Sequence, residues 1–351
     1  MGTAMNVTGL VRFFEQRRER GEPLALVTIY ETSGSTYSKA GTHMLIDGDG
    51  DFHGMLSGGC LEGDLALRAA AVIESGEPQT VTYDLAQDDE LWGLGVGCDG
   101  VMHVFLQALT PANGYQPFEA VAGAMKGNRP VRFAIVIESA HPEIRPGAAA
   151  VDAEGGARGL GLADDAAGQL LQDGGRPVLH QVLLDDNEIS VLAGTIQPPP
   201  RLLVLGAGPD AEPVVQFAVE LGWRCTVVDH RDAYVASGNF GGAESVLCLP
   251  AGTLARNLEL DRFDAAVVMS HHLASDRAYL EQLAATELRY IGLLGPAARR
   301  DRLLSELGES AQTLTGRLRG PAGIDIGGRG PAAIALSIVA EIQGVLRGRI
   351  S

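Results

Sequence analysis

One cysteine, Cys60, lies in a setting that suits ligand binding, because small residues precede it and a helix is predicted to follow. Glycine lets the backbone approach a ligand closely, and the free N–H groups at a helix start favour negative charge. The same N–H groups ease ionisation of a thiol, which the nearby carboxylate of Glu62 opposes. The pattern predicts a partly activated thiol beside an anion-binding turn; a tight turn with a packed cysteine is the structural alternative. The small residues are Ser57, Gly58 and Gly59.

A second thiol, Cys98, lies in the sequence GVGCDG, which predicts exposed and flexible backbone around it. The alternative is a glycine-rich loop before a strand, and the sequence leaves open which of the two thiols binds a ligand. Cys225 and Cys248 lie in apolar strand patterns and are predicted to be core residues. The spacing of the cysteines matches neither a zinc site nor a disulfide framework, so we expect free thiols and no metal site.

The sequence LLVLGAGPDA, residues 202–211, matches the glycine-rich turn that binds dinucleotide phosphates. Gly206 and Gly208 occupy its first two glycine positions, and Asp229 ends the next predicted strand. That spacing places a carboxylate beside the ribose of a nucleotide whose phosphates rest on the helix start. Arg231 could pair with a phosphate instead, and a structural turn that binds no ligand is the alternative.

The segment SHHLASD, residues 270–276, follows a later strand and is expected at the carboxyl edge of the same sheet, where such folds bind ligands. His271 and Asp276 are therefore candidate ligand contacts, and a solvated loop is the alternative. The chain shows no serine-histidine-acid order, so we assign no catalytic residue.

These residues are distributed over two halves that differ in their pattern of strands and helices. Three consecutive prolines at 198–200 separate them. Before the prolines, short strands rich in β-branched residues predict a β-rich α+β domain over residues 1–197. After them, alternating strands and helices predict a Rossmann-like, doubly wound parallel sheet over residues 201–351. The chain is thus predicted to be an α/β protein of two domains.

The first half also shows a weak internal repeat over residues 24–109 and 131–197, because YETSGSTYSKAG in the first part resembles IESAHPEIRPG in the second. The second part reads GLGLADD where the first reads MLSGGCLEGDL. We therefore expect the thiol chemistry to reside in the first copy.

The net charge of −17 argues against nucleic acid or an anionic membrane as the main partner. No apolar run approaches the roughly 20 residues that a membrane span requires. The first residues predict a polar helix rather than a signal peptide, so we expect a cytoplasmic protein.

Taken together, the motifs resemble those of one family over nearly the whole chain. The motifs GSTYSKAG, HGMLSGGCLEGD, GVGCDG, YIGLLGP and GIDIG followed by a helix are similar to those of the XdhC/CoxI family of xanthine dehydrogenase accessory proteins. Carried over to this sequence, the family's cysteine motif falls on residues 57–64, its second motif includes Cys98, and its GS..RKPG element includes Lys39. Asp325 of GIDIG is a further candidate ligand contact. Tyr37 and Ser38 depart from that element's usual proline and arginine.

The resemblance implies a carrier rather than a catalyst. Such a carrier binds the molybdenum cofactor (molybdopterin), protects it while its sulfur ligand is installed, and delivers it to a molybdenum hydroxylase apoenzyme. The cofactor-binding residues it implies are Cys60, Ser57, Gly58, Gly59, Glu62, Cys98 and Lys39. A cysteine desulfurase is a second candidate partner, and a homodimer is the expected assembly.

Two other functions fit parts of the sequence. An NAD(P)-dependent oxidoreductase would use the second half to bind nicotinamide cofactor and the first half to shape the substrate site. A scaffold protein that binds no ligand would use neither half as a binding site. Hydride transfer would identify the oxidoreductase. The absence of bound pterin, bound molybdenum and hydride transfer would identify the scaffold.

Overall fold

The computed structural model of the protein describes residues 7–85, 100–127, 129–153, 156–172 and 174–350. The chain forms two compact units, unit 1 from Met1 to Pro198 and unit 2 from Pro199 to Ser351. Within the residues described, every helix is too short or too polar to cross a lipid bilayer.

Unit 1 is built from two five-stranded antiparallel sheets with helices. Its elements are α1 (Val7–Glu19), β1 (Leu24–Ser33), β2 (His43–Asp47), β3 (Phe52–His53), α2 (Glu62–Ser75), β4 (Gln79–Asp84), β5 (Val101–Leu109), α3 (Phe118–Lys126), β6 (Val131–Ser139), β7 (Ala149–Ala153), β8 (Gly156–Leu160), α4 (Asp164–Leu170), β9 (Val178–Leu184) and β10 (Asn187–Ile196). One sheet has the order β3-β2-β1-β5-β4 and the other has the order β8-β7-β6-β10-β9.

The two faces of each sheet in unit 1 pack into different cores. Along β1, Leu24 and Leu26 face a core shared with the second sheet, α1 and α3. The intervening Ala25 and Val27 pack with α2 on the other face. Because side chains of a strand alternate between faces, the apolar run Leu24–Val27 at the start of β1 can serve both cores. The outer face of the second sheet packs in the same way against α4.

The two sheets of unit 1 have the same strand order when each is numbered from its own first strand. The helix α2 lies between β3 and β4 in the chain, as α4 lies between β8 and β9. This shared order supports the internal repeat, which we keep as a proposal.

Unit 2 is a six-stranded sheet with the order β13-β12-β11-β14-β15-β16, and all its pairs are parallel. Its elements are β11 (Arg201–Leu205), α5 (Ala211–Glu220), β12 (Arg224–Asp229), α6 (Asp232–Ser237), β13 (Ser245–Cys248), α7 (Leu254–Asn257), β14 (Ala265–Val268), α8 (Leu273–Leu283), β15 (Tyr290–Leu293), α9 (Ala297–Leu307), β16 (Leu318–Arg319) and α10 (Pro331–Leu346). Apolar residues of β11 alternate between a core with α5 and α10 and a core with α7, α8 and α9. The predicted fold class is confirmed.

A buried histidine makes the stability of unit 1 depend on pH. His43 lies in the core, hydrogen-bonded through Nδ1 to the hydroxyl of Thr28 at 2.9 Å. Burial lowers the pKa of His43 to about 4. Between that value and the unfolded pKa of about 6.5, the unfolded chain binds a proton that the folded chain does not.

We expect the free energy of unfolding to fall by about 3 kcal/mol from this residue as pH decreases from about 6.5 to about 4. Urea unfolding across this range checks the prediction, with His43→Gln as the variant that lacks the titrating ring. A variant with the same pH dependence as the wild type would contradict it.

Candidate functional site

Cys60 lies in a loop that joins β3 to α2. The Cys60 loop, residues 55–61, leads into α2, which begins at Glu62 and not at the cysteine. The thiol of Cys60 is free and the residue is half-buried. The loop carries two consecutive glycines in the left-handed region, Gly58 with φ +83° and Gly59 with φ +110°. Larger residues would strain the backbone at both positions, which accounts for the glycine pair.

The carboxylate of Glu62 holds this loop. Glu62 is buried, and its two oxygens accept five hydrogen bonds from residues of the loop. The donors are the N–H groups of Leu56 (3.0 Å), Ser57 (3.0 Å), Gly59 (3.0 Å) and Leu61 (3.2 Å) and the hydroxyl of Ser57 (2.6 Å). Burial opposes ionisation, but these hydrogen bonds lower the pKa of Glu62. Glu62 therefore takes most of the N–H groups that the sequence predicts for an external anion.

Between Leu56 and Leu61, two N–H groups of the Cys60 loop remain for a ligand. The N–H groups of Leu56, Ser57, Gly59 and Leu61 are bonded to Glu62, whereas those of Gly58 and Cys60 have no acceptor among the residues that the structure describes. The hydroxyl of Ser57 also accepts from the N–H of Leu61 at 2.8 Å. The loop therefore offers one thiol and two backbone donors.

A second segment packs on the Cys60 loop. Residues 34–41, which we call the strap, connect β1 to β2. A Cβ placed on Gly58 would lie 3.6 Å from the ring of Tyr37, whose side chain is 46% exposed. The hydroxyl of Ser38 donates to the carbonyl of Met55 at 3.3 Å. The ring of Tyr37 thus lies beside Gly58, whose N–H group is free.

The strap also carries Lys39 and contacts the chain after the second glycine-cysteine motif. Lys39 Nζ donates to the hydroxyl of Thr36 at 3.1 Å. A Cβ on Gly100 would lie 2.4 Å from the carbonyl oxygen of Ser35, so only glycine fits there. Cys98 lies outside the described residues. The structure therefore brings the GSTYSKAG and HGMLSGGCLEGD motifs together. It places Gly100, the last residue of the GVGCDG motif, against the strap.

In unit 2, the glycine-rich turn lies at the carboxyl edge of the parallel sheet. Gly206 has φ +131°, and a Cβ there would lie 2.5 Å from the carbonyl oxygen of Met269. A Cβ on Gly208 would meet the carboxylate of Asp210 at 2.8 Å, and that carboxylate is paired with His271 Nε2 at 2.7 Å. The turn thus lies against the loop that follows β14, as the sequence predicts for this fold.

Two buried aspartates at this edge are each covered by an arginine. Asp229 accepts from Nε and from a terminal nitrogen of Arg231. Asp276 is 1% exposed and accepts from the hydroxyl of Ser270 at 2.5 Å and from Arg299 at 2.5 Å. Asp276 therefore orders the edge through Ser270 and Arg299 and presents no free oxygen to solvent.

Comparison with known proteins identifies the family. A family model described as the XdhC and CoxI family matches residues 17–84, and one described as the XdhC Rossmann domain matches residues 202–342. A protein of Bacillus subtilis (strain 168), named as a probable xanthine dehydrogenase subunit, is 35% identical over 327 residues, which are 92% of this chain and 93% of that protein. The chain belongs to the XdhC and CoxI family. The resemblance drawn from the motifs is confirmed.

Two further similar proteins cover most of the XdhC and CoxI chain. A protein of Escherichia coli (strain K12) named "Molybdenum cofactor insertion chaperone PaoD" is 24% identical over 96% of this chain and 87% of its own length. A crystal structure described as a xanthine dehydrogenase from Bacillus halodurans is 29% identical and superposes with a TM-score of 0.78 over 97% of this chain and 96% of that one. The XdhC and CoxI fold therefore extends over both units.

Some residues that contact the candidate sites were not predicted from the sequence. Tyr37, Asp210 and Arg299 contact candidate site residues, although none of them was predicted as a site residue. Arg299 lies three residues after the end of the YIGLLGP motif, which could have identified it. Asp325 is exposed and accepts from the N–H of Gly327 at 3.0 Å, so the structure shows it in a local turn.

The cysteines of unit 2 differ from each other. Cys225 is buried as predicted, and burial raises its pKa to about 12. The prediction of a core position for Cys248 is wrong, because this residue is exposed. Cys248 is the last residue of an edge strand, which has a neighbouring strand on one side only and so leaves its end uncovered.

Proposed function

We propose that this protein binds the molybdenum cofactor, protects it during sulfuration and delivers it to a molybdenum hydroxylase apoenzyme of the xanthine dehydrogenase type. The observation that carries the proposal is the presentation of Cys60 on a glycine loop whose shape is set by Glu62. The names of the relatives from Bacillus subtilis and Escherichia coli support the same role.

The Cys60 loop has donors that suit this cargo. The molybdenum cofactor is an anion with a phosphate, a pterin and a metal held by a dithiolene, so a carrier needs hydrogen-bond donors and a soft ligand. The Cys60 thiol is the soft ligand, and the N–H groups of Gly58 and Cys60 are the donors. Lys39 adds a positive charge in the strap that covers the loop.

The charge of Glu62 is compatible with an anionic cargo. Its carboxylate is buried and accepts five hydrogen bonds, which disperse the charge over the loop backbone. A single thiol with few backbone donors also allows release, which a closed set of several thiolates would hinder. The loop therefore combines binding with transfer.

Cofactor retention by Cys60→Ser tests the proposal. The variant is expected to retain about tenfold less pterin and molybdenum than the wild type when both are purified from cells that make the cofactor, because an alcohol is a poor soft-metal ligand. Cys248→Ser, which removes an exposed thiol from unit 2, is the matched control and should retain as much as the wild type. Equal retention by Cys60→Ser would contradict the role of this thiol.

Transfer is tested by mixing loaded protein with cofactor-free hydroxylase and following substrate oxidation. Activity in proportion to the cofactor supplied, without turnover by the carrier itself, is the expected result. The second candidate function, an NAD(P)-dependent oxidoreductase, is favoured only by the glycine turn of unit 2. Failure of transfer together with steady NAD(P)H consumption by this protein alone would replace the carrier with the oxidoreductase.

The proposed partners follow from the proposed role. The hydroxylase apoenzyme receives the cofactor, and a cysteine desulfurase supplies the sulfur that is installed on it. We also propose a homodimer as the assembly and the cytoplasm as the location.

A further inference from the structure

The acidic residue at the end of β12 does not have the free oxygens that a ribose needs. Asp229 is fully buried, and Oδ2 accepts from the N–H of Ala207 at 2.7 Å and from a terminal nitrogen of Arg231 at 2.7 Å. Oδ1 accepts from the N–H and the Nε of Arg231, both at 2.9 Å. In dinucleotide sites that bind NAD, the corresponding carboxylate accepts from the ribose hydroxyls. Here Arg231 and the backbone already occupy both oxygens.

The group that faces solvent at this position is a guanidinium. The side chain of Arg231 is 29% exposed, and two of its three nitrogens are bonded to Asp229. Its third nitrogen makes no hydrogen bond to any residue that the structure describes, so its two N–H groups are available to a ligand. Arginine is the residue that pairs with phosphate oxygens in this position of related folds.

Arg231 is also held in place. Its guanidinium lies over the ring of Tyr234 at 3.9 Å from the centroid. Burial works against ionisation of Asp229, but its hydrogen bonds with Arg231 and Ala207 lower its pKa to about 2. A fixed guanidinium loses little side-chain entropy when it binds a phosphate.

A buried tyrosine of the neighbouring core has an unpartnered hydroxyl. Tyr279 is 0% exposed, and its hydroxyl has no hydrogen-bond partner in the structure as described. Tyr279 belongs to the same core cluster as Val228, the residue before Asp229, and burial together with the charges of Asp229 and Asp276 raises its pKa. A buried hydroxyl without a partner costs about 1–3 kcal/mol, which an acceptor on a ligand or a bound water can offset.

We propose that the carboxyl edge of unit 2 is a subsite for a phosphomonoester, with Arg231 as the binding residue and Asp229 as the residue that positions it. The ligand is a phosphorylated nucleoside such as NADP(H), or the phosphate end of a pterin, and not a nucleotide with a free ribose diol. This inference does not depend on Cys60 or on cofactor delivery.

Two pairs of probes test the subsite in the full chain. NADPH and NADH differ only in the 2′-phosphate, and molybdopterin released from a molybdenum enzyme is compared before and after phosphatase treatment. Within the pair that binds, we expect the phosphorylated probe to bind about tenfold more tightly than its unphosphorylated partner. The reason is the charge-assisted hydrogen bond between the phosphate and Arg231. The preference for one pair over the other identifies the source of the phosphate.

The variants separate the roles of the residues. Arg231→Gln should abolish the preference for the phosphorylated probe, and Arg231→Lys should restore part of it, because lysine keeps the charge but not the planar fork. Asp229→Asn should reduce the preference, which a purely structural role would not change. Arg302→Gln, which removes an exposed arginine of α9, is the matched control and should change nothing.

Three results would overturn the inference: no binding of any probe, equal affinity for the two members of each pair, or an unchanged preference in Arg231→Gln with a native melting temperature. The same titrations in Cys60→Ser distinguish this inference from the proposed function. A retained phosphate preference in that variant supports the subsite even where cofactor transfer fails.

Discussion

Glu62→Gln is expected to destabilise unit 1 by about 3 kcal/mol and to lower cofactor retention as strongly as the loss of Cys60 does. The amide of glutamine places a donor where the carboxylate has an acceptor. Oε1 of Glu62 accepts from the N–H groups of Leu56 and Ser57, so an amide nitrogen there leaves one buried and one partly buried donor unmatched. The loop would then lose the shape that presents Cys60.

Unit 1 supplies a matched control for this variant. Asp164 is the first residue of α4, as Glu62 is the first residue of α2, and it accepts one hydrogen bond from the N–H of Gly159 at 2.7 Å. Asp164→Asn should cost about 1 kcal/mol, because this contact is exposed and single. Thermal unfolding of both variants, with pterin fluorescence of the purified proteins, measures the two effects. Wild-type stability and retention in Glu62→Gln would show that the carboxylate does not hold the loop.

Gly206→Ala is expected to be the most damaging single change in unit 2, with a cost of about 4 kcal/mol. The added Cβ would lie 2.5 Å from the carbonyl oxygen and 2.6 Å from the carbonyl carbon of Met269. Both atoms belong to the backbone of the neighbouring strand end and cannot move without disturbing the sheet. The φ of +131° adds strain for any residue with a side chain.

Gly208→Ala is the control for this change, since the only close neighbour of its Cβ would be the carboxylate of Asp210 at 2.8 Å, with the ring of His271 at 4.0 Å, and both are side chains that can move. We expect Gly208→Ala to cost about 1 kcal/mol or less. The two variants are compared by chemical unfolding, with the fluorescence of the buried Trp223 as the signal for unit 2. Equal stability of the two would mean that the backbone near Met269 adapts to a side chain.

The fold of unit 2 was predictable because its information is local. Strands β11, β12, β14 and β15 are short apolar runs separated by helix-length segments, and the glycine turn fixes where the first helix starts. The fold class of unit 1 was also predictable from its alternating strands. The position of Cys248 was not, because an apolar strand pattern does not show whether the strand lies at the edge or in the centre of its sheet.

The contents of the candidate site were predictable only in part. The motifs identified Cys60 and the residues around it, but not that Glu62 is bonded to the loop, because the sequence does not show which N–H groups a carboxylate satisfies. Similarly, the spacing from Gly206 to Asp229 predicts a ribose contact, whereas the two-residue spacing to Arg231 lets the arginine fold back onto that carboxylate. Side-chain pairing at close range decided both cases.

The two sheets of unit 1 share one strand order but differ in the loop before their helix. A strained loop and a stable fold are demands that usually compete within one protein. A loop with two left-handed glycines and a half-buried free thiol adds little to the stability of the sheet that carries it. The second sheet buries apolar side chains against the first and carries no such loop between β8 and α4 among the residues described. The chemistry proposed for the Cys60 loop is thus carried by one sheet, while the other contributes buried apolar surface.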